Sequence, residues 1–96
     1  NMEIEWTDRD PETGAKRTVR AGRFARKWTF RVQFRRYENW KPVPAPSRDM
    51  WETLLDALER RAQRREGVTD EDLKQVRAVI AALPVEEEDA EAGDGE

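Results

Sequence analysis

Between Lys16 and Lys41 the chain carries ten basic side chains against one acid, Glu38, a local net charge of +9 within a molecule whose total is −3. The first fourteen residues sum to −4 and residues 42–96 to −8, so the positive charge is segregated. A segregated cationic segment creates a field that attracts anions. Most of its members are Arg, whose planar guanidinium binds phosphate or carboxylate bidentately. The residues best placed to act are Arg20, Arg23, Arg26, Lys27, Arg31, Arg35 and Arg36, and the partner this chemistry suits best is the backbone of DNA or RNA, without base-specific readout. The alternative is a protein-interaction or regulatory module that takes an acidic protein on the same surface, or associates with itself through a sheet edge. Arg outnumbers Lys fourteen to four over the whole chain, so compositional bias accounts for the choice of Arg but not for its clustering.

Other reactive-looking sets have simpler roles. Glu52, Asp56 and Glu59 share one side of a helix, and Asp70, Glu71 and Asp72 crowd the start of another, where acids complement the helix dipole. Arg60, Arg61, Arg64 and Arg65 close the first helix, where cations are favoured for the same reason. The chain has no Cys and no His. The usual nucleophile-and-base arrangements then lack their base, and a zinc site would rest on carboxylates alone. A non-enzymatic module without metal or cofactor is expected.

Charged residues make up 41% of the chain and apolar ones 36%, so the core must be small and rich in rings. Trp6, Trp28, Trp40, Trp51, Phe24, Phe30 and Phe34 are the candidates, each able to bury on the order of 150–250 Å². No apolar run approaches the ~18 residues of a membrane span, and no basic-then-apolar leader precedes the first segment, which makes a cytoplasmic protein the expectation.

The positioning elements follow from hydropathy period. Glu3 to Thr7 alternates, Asp8-Arg9-Asp10-Pro11-Glu12-Thr13-Gly14 supplies a turn, and the chain resumes its alternation over Ala15 to Arg20, which predicts a hairpin. A turn at Gly22 should lead into a third strand over 27–36, with Trp28, Phe30, Val32 and Phe34 on one side and Thr29, Arg31, Gln33 and Arg35 on the other. The second side, together with Glu3, Glu5, Thr7, Lys16, Thr18 and Arg20, faces outward and carries no ring; Tyr37 and Trp40 belong to the edge of the core.

Lys41-Pro42-Val43-Pro44-Ala45-Pro46-Ser47 reads as a stiff extended connection, with recognition of its prolines by another domain as a lesser reading. A helix over 49–65 is expected to start at Asp49, paired with Glu52, to bury Trp51, Leu54, Leu55, Leu58 and Ala62, and to stop near Gly67. A second helix over 70–83 is capped by Thr69 with Asp72, stapled by Val68 on Leu73, faces inward through Leu73, Val76, Ile80 and Leu83, and ends at Pro84. The expected fold is α+β: a three-stranded antiparallel meander over 3–36, covered on one face by an antiparallel pair of helices, in one domain over 1–84. Small sheets followed by helices are similar in architecture to sheet-based DNA-binding domains, but architecture does not carry function. Glu86 to Glu96 contains seven acids and no base, an expected disordered tail that either solubilises the protein or competes for its basic block.

Overall fold

A computed structural model describes residues 2–85. Four strands, β1 (Met2–Arg9), β2 (Lys16–Phe24), β3 (Lys27–Gln33) and β4 (Lys41–Val43), form one antiparallel sheet in chain order, followed by α1 (Arg48–Gln63) and α2 (Asp70–Ala82). The class is α+β, as the hydropathy pattern predicts. The acidic run from Glu86 onward lies outside the described residues.

The β1–β2 hairpin closes where Pro11 and Gly14 predict it. Gly14 takes φ +76°, its N–H donates to the Asp10 carbonyl at 2.7 Å, and the Asp10 N–H donates to the Ala15 carbonyl at 2.9 Å. The next turn is not at Gly22. β2 continues to Phe24, and the chain reverses at Ala25 and Arg26, with φ of 52° and 65°. Two consecutive left-handed residues are what a tight hairpin between right-twisted strands demands, even though neither side chain favours it.

The fourth strand is a correction to the expected three, and the third strand is shorter than the expected 27–36. After Gln33 the chain bends through residues 34–40. Tyr37 adopts φ 67°, the Glu38 N–H donates to the Arg35 carbonyl at 3.1 Å, and Gln33 Nε2 donates to the Glu38 carbonyl at 2.8 Å. This bend returns Lys41–Val43 antiparallel to β3, with Pro42 opposite Arg31. Proline has no N–H to give a ladder, so it is tolerated here because β4 is an edge.

Register decides the two faces. Ile4, Ala21 and Phe30 stand in one row and Trp6, Val19 and Val32 in the next, all turned toward the helices; Glu5, Arg20 and Arg31, then Thr7, Thr18 and Gln33, form the rows on the outer side. Phe30 is the centre of the core, edge-on to Trp51 of α1 at 4.8 Å and to Trp6 at 6.4 Å. Leu54, Leu58 and Val76 have no exposed surface beside it. Two expected core rings are elsewhere: Phe24 is 75% exposed at the end of β2, and Trp40 is half-buried under Arg20.

Ser47, not Asp49, caps α1, accepting the Met50 N–H at 3.2 Å from an extended backbone. The helix therefore begins one residue early and buries Met50 beside Trp51. It ends at Gln63, two residues short of the expected stop. Arg65 sits in the left-handed region (φ 59°) and donates to the Ala62 carbonyl, while Glu66 donates to Arg61, the arrangement usually built on glycine. α2 starts as its sequence predicts: Thr69 Oγ1 accepts the Asp72 N–H at 3.1 Å and Asp72 Oδ2 accepts the Thr69 N–H at 2.9 Å. It ends at Ala82, with Leu83 as the extended cap rather than the last helical residue.

Candidate functional site

The seven cationic residues singled out by sequence do not share one fate. Arg20 lies on the outer face but is engaged, with its guanidinium 2.6 Å from Glu5 Oε2 and stacked 4.1 Å over the Trp40 ring. Arg23 projects to the helix side, where Nη1 donates to Asp72 Oδ1 at 2.5 Å and the group sits 5.6 Å over Trp28. Burial alone would raise the Asp72 carboxyl. The Thr69 N–H and the Arg23 guanidinium outweigh that and hold it below its ordinary value of 3.8. Arg23 thus ties β2 to the start of α2.

The other five reach solvent. Arg26 and Lys27 are exposed at the β2–β3 turn, and Gln75 of α2 holds the turn by donating to the Arg26 carbonyl at 2.5 Å. Arg31, at mid-strand, is 47% exposed and only loosely paired, 3.9 Å from Glu3. Arg35 and Arg36 are exposed beyond the far end of β3, with Arg36 lying 5.9 Å from the Tyr37 ring. Lys27 and Gln33 bound a strand about 20 Å long, so the terminal pairs stand further apart than a Debye length of about 10 Å at 0.1 M salt. They act as two cationic poles joined by Arg31, not as one patch.

Lys16, a member of the basic block that the sequence does not distinguish, strengthens one pole. With Thr7, Thr18, Gln33, Arg35 and Arg36 it lines a hollow of about 190 Å³ on the outer face. Among the described residues no carboxylate lies within 4.0 Å of Lys16, Arg26, Lys27, Arg35 or Arg36. Neighbouring Arg17 also borders this hollow but is engaged by Asp8, whose hydrogen bond at 2.7 Å raises its pKa further.

The outer face also carries rings, contrary to the expectation of none. Phe24 and Trp40 both belong to it, and Tyr37, 95% exposed, stands beyond its far end. The signal for Phe24 is its parity: it is two residues from Gly22 and four from Arg20 on the same strand. A cleft of about 660 Å³ lies between the β2–β3 turn and α2 and is lined by Arg23, Arg26, Thr69, Glu71, Asp72 and Gln75. Its acids offset its bases and the Arg23–Asp72 pair crosses it, so it is a poor anion site.

Among the described residues no group of three or more acidic side chains is arranged to hold a metal ion, and no helix is long and apolar enough to cross a membrane. No protein-family model, curated protein or solved structure matches this chain. The functional reading therefore rests on the surface itself.

Proposed function

We propose that this protein is a small non-enzymatic binding module that engages the backbone of nucleic acid through the outer face of its sheet. The observation that carries this reading is the cationic set along that face: Lys27, Arg31 and Arg35 four residues apart on and beyond β3, with Lys16, Arg26 and Arg36 at the two poles, of which only Arg31 has a carboxylate within 4.0 Å among the described residues, Glu3 at 3.9 Å. Guanidinium and ammonium groups without a protein carboxylate keep their capacity for phosphate. Arg20 and Arg23 serve instead to hold Trp40 and α2. The contact set is therefore narrower than the sequence implies, with Lys16 added. Phosphate neutralisation releases counterions, so about four contacts to a single strand should give a slope of about −2.8 in log affinity against log salt. Titrating the full chain against random oligonucleotides at several salt concentrations tests this; affinity indifferent to salt would refute it.

Self-association is the second reading, favoured by one observation. β1 has a strand neighbour on one side only, leaving eight residues of backbone edge open among the described residues. β4, the opposite edge, is three residues long and interrupted by Pro42. Light scattering of the ligand-free protein separates the two readings, since an edge-paired dimer needs no polyanion.

A further inference from the structure

Gly22 stands in the middle of β2 without a structural need for glycine. Its φ is not positive, and a Cβ added there would meet only Glu3 Cγ at 4.0 Å, an ordinary contact. Glycine inside a strand weakens it, so the fold itself gains nothing from glycine at this position. What it provides is a bare backbone floor on the outer face. Opposite it in register stand Glu3 and Thr29, and two residues along the strand on the same side is Phe24. These residues and Arg31 line a shallow depression of about 400 Å³.

Phe24 is the second unexplained element. A ring 75% exposed beside an open floor contributes little to folding, but it offers a π-face to a planar partner. Charge then decides what that partner is attached to. Lys27 stands directly opposite Phe24 and Arg31 borders the depression, so the surroundings suit an anionic chain. Glu3, inside the depression, disfavours a phosphate on the floor itself, whereas its carboxylate can accept from an exocyclic amino group of a base. A flat, hydrogen-bonding group on the floor flanked by phosphates outside it describes an unstacked nucleotide.

We propose that Gly22 and Phe24 form a base-stacking site and that the partner of the cationic face is single-stranded nucleic acid. The inference rests on the polyanion reading above and deepens it. A duplex keeps its base faces stacked inside and presents only edges, so it cannot use the Gly22 floor.

The test is fluorescence anisotropy with the full chain and a labelled mixed-sequence strand of about 12 nucleotides, a length within the site sizes of single-strand modules. The strand is supplied as DNA, as RNA, and as the DNA duplex. The expected result is tighter binding of a single strand than of the duplex. Phe24→Ala should weaken single-strand binding by about 5- to 150-fold, the range of one lost base–aromatic stack. Gly22→Ala should weaken it about tenfold or more while raising the melting temperature, because alanine strengthens the strand as it fills the floor. A structural glycine would show the reverse, a lower melting temperature with affinity following it. If oligonucleotides bind but the duplex binds as well as the single strands, or both variants stay within about twofold of the parent, the stacking site is overturned and the polyanion reading stands. If nothing binds even at low salt, both fall.

Discussion

Replacing Asp72 by Ala removes two things at once, and both can be sized. The carboxylate closes the start of α2 by accepting the Thr69 N–H at 2.9 Å, a cap of about 1 kcal/mol. It also receives Arg23 Nη1 in a pair whose side chains are 15% and 21% exposed, a charge-assisted hydrogen bond of about 1.5–3 kcal/mol. Because the freed guanidinium regains water, the combined loss should be about 2–3 kcal/mol. At about 4–8 °C per kcal/mol for a domain of this size, thermal unfolding followed by circular dichroism at pH 7 should fall by about 10–20 °C. Asp72→Asn, which keeps an acceptor but not the charge, should fall between. After Asp72→Ala, a further Arg23→Ala should cost little, since the partner is already gone. The pH dependence has a definite sign. The folded-state pKa of Asp72 lies below its ordinary 3.8, so its stabilisation is complete above that value and is lost as pH falls through the folded pKa. The gap between parent and Asp72→Ala should hold constant from neutral pH to about 5 and narrow below 3.8. A variant melting within about 2 °C of the parent at pH 7, or a gap undiminished at pH 3, would refute this account of how α2 is held to the sheet.

Arg35→Ala with Arg36→Ala should reduce the salt slope of oligonucleotide binding by about 1.4, whereas Arg23→Ala should leave the slope unchanged while lowering the melting temperature; anisotropy at several salt concentrations checks both. Phe30→Ala opens the centre of the core and should cost about 3–5 kcal/mol in urea unfolding. Ser47→Ala should cost about 1 kcal/mol, and Asp49→Ala only a few tenths, because Ser47 holds the Met50 N–H; equal losses would return the cap to Asp49. Arg65→Gly should stabilise by about 0.5–1 kcal/mol, since the left-handed backbone there burdens a residue with a Cβ, and the urea midpoint should rise accordingly.

The candidate interface was legible in its charge and only partly in its geometry. Arg31 and Arg35 reach solvent as their alternation with Phe30 and Phe34 requires, but nothing local to Arg23 announces Asp72, forty-nine residues away. Arg20 is engaged by Glu5, across β1, and by Trp40, which the 34–40 bend carries over the outer face. Ring size alone places Phe24 in the core, because large rings usually pack there. Its place at the end of β2, on the side away from the helices, leaves it nothing to pack against.

Local chemistry by itself determined the β1–β2 hairpin, the inward row of Trp28, Phe30 and Val32, and the start of α2, because each depends on residues a few positions apart whose side chains cap, turn or alternate. Tertiary structure alone decided that Lys41-Pro42-Val43 becomes an edge strand and not a free connection. The extended angles of a proline-rich linker and of a strand overlap, so local preference does not separate them. Only the bend that lays this segment beside β3 supplies the hydrogen-bonding partner that makes it a strand, and contacts as distant in sequence as Arg23 with Asp72 decide which arginines are engaged by the protein's own acids.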